Sequence, residues 1–133
     1  MAVSKTSLSA GELIREILLE SADVSARTNK IFPVAVDKAV LPYILYRRAA
    51  MEQTPAKGEK QGADSVNMEI ICFAADYDQC LELAEAVRDA LDNLHNVQSN
   101  DGTLVLRAST LVDSEEAWQD DAYVQQLIFN VRI

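Results

Sequence analysis

Residues 66–94 read VNMEIICFAADYDQCLELAEAVRDALDNL, and this stretch decides the fold. At its start apolar residues alternate with Asn67 and Glu69, a spacing that predicts a strand, and the far end of the strand is apolar on both faces. Asp76 and Gln79 form a capping pair that predicts the start of a helix. Six apolar residues then recur at helical spacing and form one stripe: Cys80, Leu83, Ala84, Val87, Leu91 and Leu94. The outer face of this helix is acidic, so we expect it to cover a sheet with its apolar side.

An earlier helix is predicted by the N-terminal sequence. Ser9 followed by Glu12 matches a capping box, in which the two side chains satisfy each other's free amides. Apolar residues within 13–18 then form a second helical stripe. We expect this helix to end or break between Ser21 and Asn29.

Two strands are predicted before the central unit. Residues 31–36 are short and apolar, and because Pro33 cannot donate to a ladder, they are expected to form an edge strand. Residues 43–49 combine aromatic and β-branched side chains that suit a pleated sheet. Between this strand and the central one, residues 52–64 contain two glycines and a proline, which predicts a long loop.

The C-terminal third predicts two more strands. Asn100-Asp101-Gly102 is a turn signal, followed by alternation over residues 104–108 and again over residues 123–133. Between these strands lies an acidic stretch, residues 113–121, interpreted as a loop. The order α-β-β-β-α-β-β predicts an α+β fold, a mostly antiparallel sheet of about five strands with two helices packed on one face.

Composition predicts one domain spanning residues 1–133. The chain has 12 basic and 21 acidic residues and a formal charge of −9, which disfavours attraction to nucleic acid or anionic lipid. We therefore expect no specific nucleic-acid binding and no membrane association. Two cysteines and the lack of a signal-like N-terminus favour synthesis in a reducing compartment.

Candidate groups for catalysis are few. The single histidine, His95, is expected at the end of the second helix, and no nucleophile-elbow motif accompanies it. Cys72 and Cys80 lack the paired spacing of a zinc site and are expected in the core. The acidic stretch lacks the spacing of a calcium loop, and a glycine-rich phosphate loop is missing from the sequence. The prediction is a protein without catalytic, metal or cofactor sites.

Two charged groups and one tryptophan are candidate interaction residues. Arg47, Arg48, Lys57 and Lys60 form the only basic concentration after residue 30. They either balance nearby acids or pair with the acidic 113–121 stretch of an adjacent copy. Trp118 within that stretch either folds back onto the core or anchors a neighbouring subunit.

Two short motifs carry a resemblance to a known family. They are Lys-Ile-Phe-Pro at residues 30–33 and Leu-Pro-Tyr-Ile-Leu-Tyr at residues 41–46. With them, the sequence resembles the tail completion family of tailed bacteriophages and prophages, also described as tail terminator proteins. The family's N-terminal helix, central strand, long helix and closing strand correspond to residues 13–18, 68–73, 76–94 and 123–131.

The resemblance implies a structural protein of the virion tail and not an enzyme. Such a subunit forms a ring, typically of six copies, at the head-proximal end of the tail. The ring stops polymerisation of the tail tube protein and offers a surface to the head-tail connector proteins. No catalytic or cofactor-binding residues come with the family. The chain would be made in the cytoplasm of the bacterial host.

A ring needs two different patches on each subunit, because a patch on one copy must meet another patch on the next. We expect the segments 52–64 and 113–121 to supply them. The expected interface residues are Arg47, Arg48, Lys57, Lys60, Glu115, Glu116 and Trp118. The alternative interpretation is a small ferredoxin-like ligand-binding or regulatory domain that acts as a monomer or dimer.

Overall fold

The computed structural model describes residues 5–53 and 64–133. In chain order its elements are a 3₁₀ turn at Ser7–Ser9, helices α1 (Ala10–Glu20) and α2 (Ala22–Ser25), strands β1 (Ile31–Pro33), β2 (Tyr43–Glu52) and β3 (Ser65–Ala74), helix α3 (Tyr77–Leu91), and strands β4 (His95–Gln98), β5 (Val105–Gln119) and β6 (Ala122–Arg132).

The sheet is mixed and its strand order is β1-β2-β3-β6-β5-β4. Strand β1 runs parallel to β2, and all other neighbours are antiparallel. The predicted α+β class is confirmed. The predicted count of about five strands and two helices is wrong, because the described chain also contains α2 and β4. The sequence of β4, HNVQ, is short and mostly polar, so no apolar alternation marks it as a strand.

Strand β3 lies at the centre of the sheet and was predicted from its alternation. It pairs with β6 from Ser65↔Arg132 to Ala74↔Tyr123, and with β2 over residues 65–73 with a β-bulge between Arg48 and Ala50. Its even-numbered side chains, such as Met68 and Ile70, are fully buried. They face α1 and α3, whose apolar stripes belong to the same core cluster. The prediction that the helices pack on one face is therefore confirmed.

The opposite face of the sheet carries a second, smaller apolar cluster. Phe73, Ala122 and Val124 are buried there, and Tyr43 stacks on Phe73 with ring centroids 4.7 Å apart. This cluster explains why the far end of β3 is apolar on both faces. Tyr43 and Val124 shield the side of β3 that the helices do not cover.

The helix starts fall where the sequence predicts, although one cap differs. Asp76 caps α3 by accepting from the amide of Asp78 at 2.9 Å. The predicted capping box at α1 is wrong, because the Ser9 side chain makes no cap bond and Glu12 pairs with Lys5 at 2.6 Å. The chain enters α1 through the 3₁₀ turn, which Thr6 caps. Helix α3 also ends earlier than predicted, at Leu91.

The acidic stretch 113–121 is not a loop, and that prediction is wrong. Strand β5 continues through it to Gln119, paired with β6 as far as Gln119↔Ala122. The turn consists of Asp120 and Asp121, both with positive φ, at 51° and 60°. Two such residues form the tight turn that matches the twist of a hairpin. Pairing with the apolar strand β6 therefore extends a segment whose own composition indicates a loop.

The N-terminal strands agree with the sequence in place and differ in length. Strand β1 is an edge strand as predicted and ends at Pro33. Strand β2 extends past residue 49 to Glu52, the first residue of the predicted long loop. Most of that loop, residues 54–63, lies outside the described residues. Among the residues that are described, none of the helices has the length and apolar character needed to cross a membrane.

Leu83 and Leu81 provide a matched test of this core. Leu83 is 1% exposed beneath α3, whereas Leu81 is 38% exposed on the same helix. We expect Leu83→Ala to lower the free energy of unfolding by about 2–5 kcal/mol, because it removes buried contacts and leaves a cavity. The control Leu81→Ala should cost less than about 1 kcal/mol. Chemical denaturation measures both, and equal losses would contradict this packing.

Candidate functional site

One side of the sheet has an open strand edge because β1 is much shorter than β2. Pro33 ends β1, and Val34 turns the chain away with a φ of 61°. The last bond between the strands runs from the amide of Val34 to the carbonyl of Tyr46, at 2.7 Å. Beyond it, no described residue pairs with the outer side of β2. Residues 47–52 are called the β2 edge below.

A groove lies beside the β2 edge, at the place where β1 ends. Its volume is about 390 Å³. Leu8 and Val34 on its walls are 59% and 65% exposed, so the groove presents apolar surface to solvent. Gly11 belongs to the same wall, and a Cβ there would come within 2.9 Å of the Tyr46 ring. The lining residues are Leu8, Gly11, Pro33, Val34, Tyr46, Arg47, Arg48 and Met68.

The two arginines of the β2 edge have different environments. Arg47 forms an ion pair with Glu69 at 2.9 Å, on the sheet face opposite the helices. The Glu69 side chain is only 8% exposed and also accepts from Gln126. Arg48 lies on the helix side and donates to the carbonyl of Leu8 at 2.8 Å. Arg47 therefore compensates a buried charge, whereas Arg48 is a surface cation at the rim of the groove.

The other side of the sheet has a second open edge, on β5. Strand β4 pairs with β5 only from Val105 to Ala108. The next two outward positions are satisfied by the turn after α3: the amide of Ser109 donates to the carbonyl of Leu94, and that of Leu111 to Asp92. Over residues 112–119, no strand in the described chain lies along the outer side of β5. These residues are called the β5 edge below.

Glu116 and Trp118 sit on the helix side of the β5 edge. The side-chain amide of Gln125 and the hydroxyl of Tyr77 donate to the Glu116 carboxylate at 2.9 Å and 2.8 Å. These bonds favour the charged carboxylate and hold the pKa of Glu116 below its usual value. Trp118 packs edge-on against Tyr123, with centroids 4.8 Å apart, and remains 58% exposed. It is therefore a surface residue and not part of the core.

The predicted basic and acidic groups do not meet within one copy. Strands β3 and β6 separate β2 from β5, and the register places Arg47 level with Asp113 across the sheet. Glu115 belongs to the β5 edge with Glu116 and Trp118. Lys57 and Lys60 lie outside the described residues. The arrangement places the surface cation Arg48 on one edge and a group of acidic residues on the other, on opposite sides of the subunit.

The candidate chemical groups are dispersed. Cys72 and Cys80 are buried and unpaired, as predicted for core residues, and burial raises the pKa of both thiols. The Cys80 thiol donates to two backbone carbonyls at 3.3 Å. The predicted placement of His95 at a helix end is wrong, because it begins β4 and is exposed. Within residues 5–53 and 64–133, no group of acidic, cysteine and histidine side chains is arranged to hold a metal ion.

Sequence reasoning missed the residues that shape these edges. Leu8 and Val34 give no periodic signal, because they lie in a 3₁₀ turn and just after a strand. Tyr77 and Gln125 come from separate elements and meet only at Glu116. Pro33 is a partial indication in the sequence. A proline that ends the short edge strand β1 leaves the remainder of the neighbouring strand β2 unpaired.

Arg47 and Glu69 allow a test of the buried charge. We expect Arg47→Ala to lower the free energy of unfolding by about 1–3 kcal/mol, because Glu69 loses its cation in a buried position. The loss of unfolding free energy caused by Arg47→Ala should be smaller in a Glu69→Gln background, because no buried charge remains there. Denaturation of the two single variants and the double variant measures this coupling. If the losses of the two single variants add up to that of the double variant, the ion pair contributes nothing to stability.

Comparison with known proteins places the chain in a family. No curated protein sequence matches it. In a search of solved structures, it matches a chain from the "Virion of native gene transfer agent (GTA) particle" with a TM-score of 0.72 and 17% sequence identity. The match covers 96% of this chain and 98% of the other, and at this identity it establishes a shared fold.

A family model also matches, over residues 12–128, and its description is "Tail completion protein gp17". The matched region includes both motifs that carry the resemblance, residues 30–33 and 41–46. It also contains β2, β3, α3 and β5 in full. The chain belongs to the Tail completion protein gp17 family and is a structural protein of the bacteriophage-tail type.

Proposed function

We propose that this chain forms a ring, typically of six copies, at the head-proximal end of a phage tail. The ring ends growth of the tail tube and presents a surface to the head-tail connector proteins. Membership of the tail completion family over residues 12–128 is the observation that carries this proposal. The partners are further copies of the chain, the tail tube protein and the connector proteins.

The two open edges support a ring because they differ from one another. A closed ring is built from heterologous contacts, in which one patch meets a different patch on the next copy. The β2 edge carries Arg47 and Arg48, and the β5 edge carries Glu115, Glu116 and Trp118. Opposite charges on two patches favour contact between different edges and disfavour contact between like edges. Lys57 and Lys60 are proposed to extend the basic patch.

The proposal covers residues 1–133 as one domain that works in the virion. Synthesis takes place in the cytoplasm of the bacterial host, before the finished tail joins the head. Both patches belong to the same sheet, so a single domain is sufficient to contact two neighbours.

Deletion of the gene in its phage or prophage tests the proposed function. We expect tails of irregular, extended length and DNA-filled heads without tails, because nothing would stop tube growth or join the two parts. Electron microscopy of induced lysates measures tail length and the fraction of joined particles. Expression of the wild-type chain from a plasmid is the control and should restore both. Joined particles with tails of normal length in the deletion strain would contradict the proposal.

A further inference from the structure

We infer that the β5 edge of one copy adds as a strand to the β2 edge of the next copy, which makes the sheet continuous across the interface. This inference rests on the proposed ring and specifies how its subunits join. Both edges present backbone groups with no strand beside them in the described part of the chain. An open strand edge is a template for pairing with another chain.

The directions of the strands agree with head-to-tail joining. Strand β2 runs antiparallel to β3, β3 to β6, and β6 to β5, so β5 runs antiparallel to β2. The two edges also lie on opposite sides of the subunit. If neighbouring copies share one orientation, the β5 edge of the first meets the β2 edge of the second as an antiparallel pair. The helices of both copies then lie on the same side of the joined sheet.

The outward-facing amides of the β5 edge can be located from the ladder. In antiparallel pairs, alternate residues turn their backbone groups towards the partner and away from it. Gln119 and Ala122 close the tight hairpin and bond to each other, so Trp118, Glu116 and Ser114 face outward. The amide of Ser114 donates to the side chain of Asp113 at 2.8 Å, which agrees with an outward direction.

One register brings complementary groups together. On the β2 edge, Arg48 is the next outward residue after Tyr46, whose carbonyl accepts from Val34. With Glu116 of one copy opposite Arg48 of the next, both side chains lie on the helix side and can form an ion pair. Strand pairing ends at this point, because Pro33 and Val34 of the second copy already occupy the outer side of Tyr46.

Trp118, two residues beyond Glu116 on the same face, is then directed towards the groove at the end of β1 of the next copy. The groove has a volume of about 390 Å³ and exposed apolar walls at Leu8 and Val34. Trp118 is itself 58% exposed in the single copy. Burial of a large aromatic side chain in such a groove is typical of the residues that contribute most to an interface. On the other face, Glu115 comes diagonally close to Arg47.

The positions of the edges are compatible with a closed ring. The β2 edge occupies one side of the sheet and the β5 edge the other. Glu116 is level with Cys72 and Arg48 with Met68, so the two paired residues are four residues apart along the strands. At about 3.3 Å per residue, joining them shifts each copy by roughly 13 Å, across four strands that are about 19 Å wide. Strands tilted by roughly 35° to the ring axis absorb this shift, and closed barrels have similar tilts.

A backbone test uses Ser114, which carries no charge. Proline at this outward position removes an amide whose partner within the copy is the side chain of Asp113, and it leaves the bonds to β6 in place. We expect Ser114→Pro to unfold at the wild-type temperature and to need at least about tenfold more protein for assembly, because each interface loses a hydrogen bond and strand geometry. Ser114→Ala keeps the amide and is the matched control. Sedimentation velocity over a concentration series measures assembly.

A charge test remains informative if Ser114→Pro does not fold. We expect Glu116→Arg alone and Arg48→Glu alone to remain unassembled, because each places like charges across every interface. An equimolar mixture should assemble into rings with an even number of copies, since each variant then meets the other. A mixture that stays unassembled contradicts the pairing of Glu116 with Arg48.

The outcomes separate this inference from the proposed function. The wild-type chain and the variants Ser114→Pro, Glu116→Arg and Arg48→Glu are compared at the same concentration. If all of them form rings, strand addition is wrong, but the proposed ring is supported. If the wild-type chain forms no ring, either alone or on purified tail tubes, the proposed function fails and this inference fails with it.

Discussion

Burial of β3 on both faces is the constraint on which the rest of the structure depends. A central strand must bond to neighbours on both sides and must also be covered above and below. The helices α1 and α3 cover one face, and the cluster around Phe73 and Val124 covers part of the other. Glu69 is the one polar residue of this strand that is buried, and Arg47 and Gln126 satisfy its carboxylate. The neighbouring strands β2 and β6 therefore supply the partners of the Glu69 carboxylate, one from each side of β3.

The outermost strands are shorter than the strands that they flank, and this difference creates the candidate surfaces. Strand β1 has 3 residues beside the 10 of β2, and β4 has 4 beside the 15 of β5. Proteins usually protect such edges with charges, bulges or short strands. Here Arg48 on the β2 edge and the acidic residues of the β5 edge differ in sign, which is the property that the proposed head-to-tail assembly requires.

The candidate interface residues differ in how much they contribute to the stability of the single copy. Arg47 pairs with a buried carboxylate, so its replacement affects folding as well as any interface. Arg48 makes one surface bond and Trp118 packs against one ring, so both are free to contact another copy. Glu116 is held in place by Tyr77 and Gln125, which fixes the direction of its charge before a partner arrives. Such preorganisation lowers the entropic cost of association.

Local sequence alone determined the β3–α3 unit, the last strand and the charged residues of the candidate interface, because alternation, helical spacing and charge are properties of neighbouring residues. Tertiary structure decided that the acidic residues 113–119 form a strand, since their partner β6 is apolar and supplies the ladder. It also decided that HNVQ forms β4 against β5. Both outcomes depend on pairing between distant segments, which no local pattern records. For the same reason, the sequence could name Arg48 and Glu116 but could not show that they belong to two opposite, unpaired edges of one sheet.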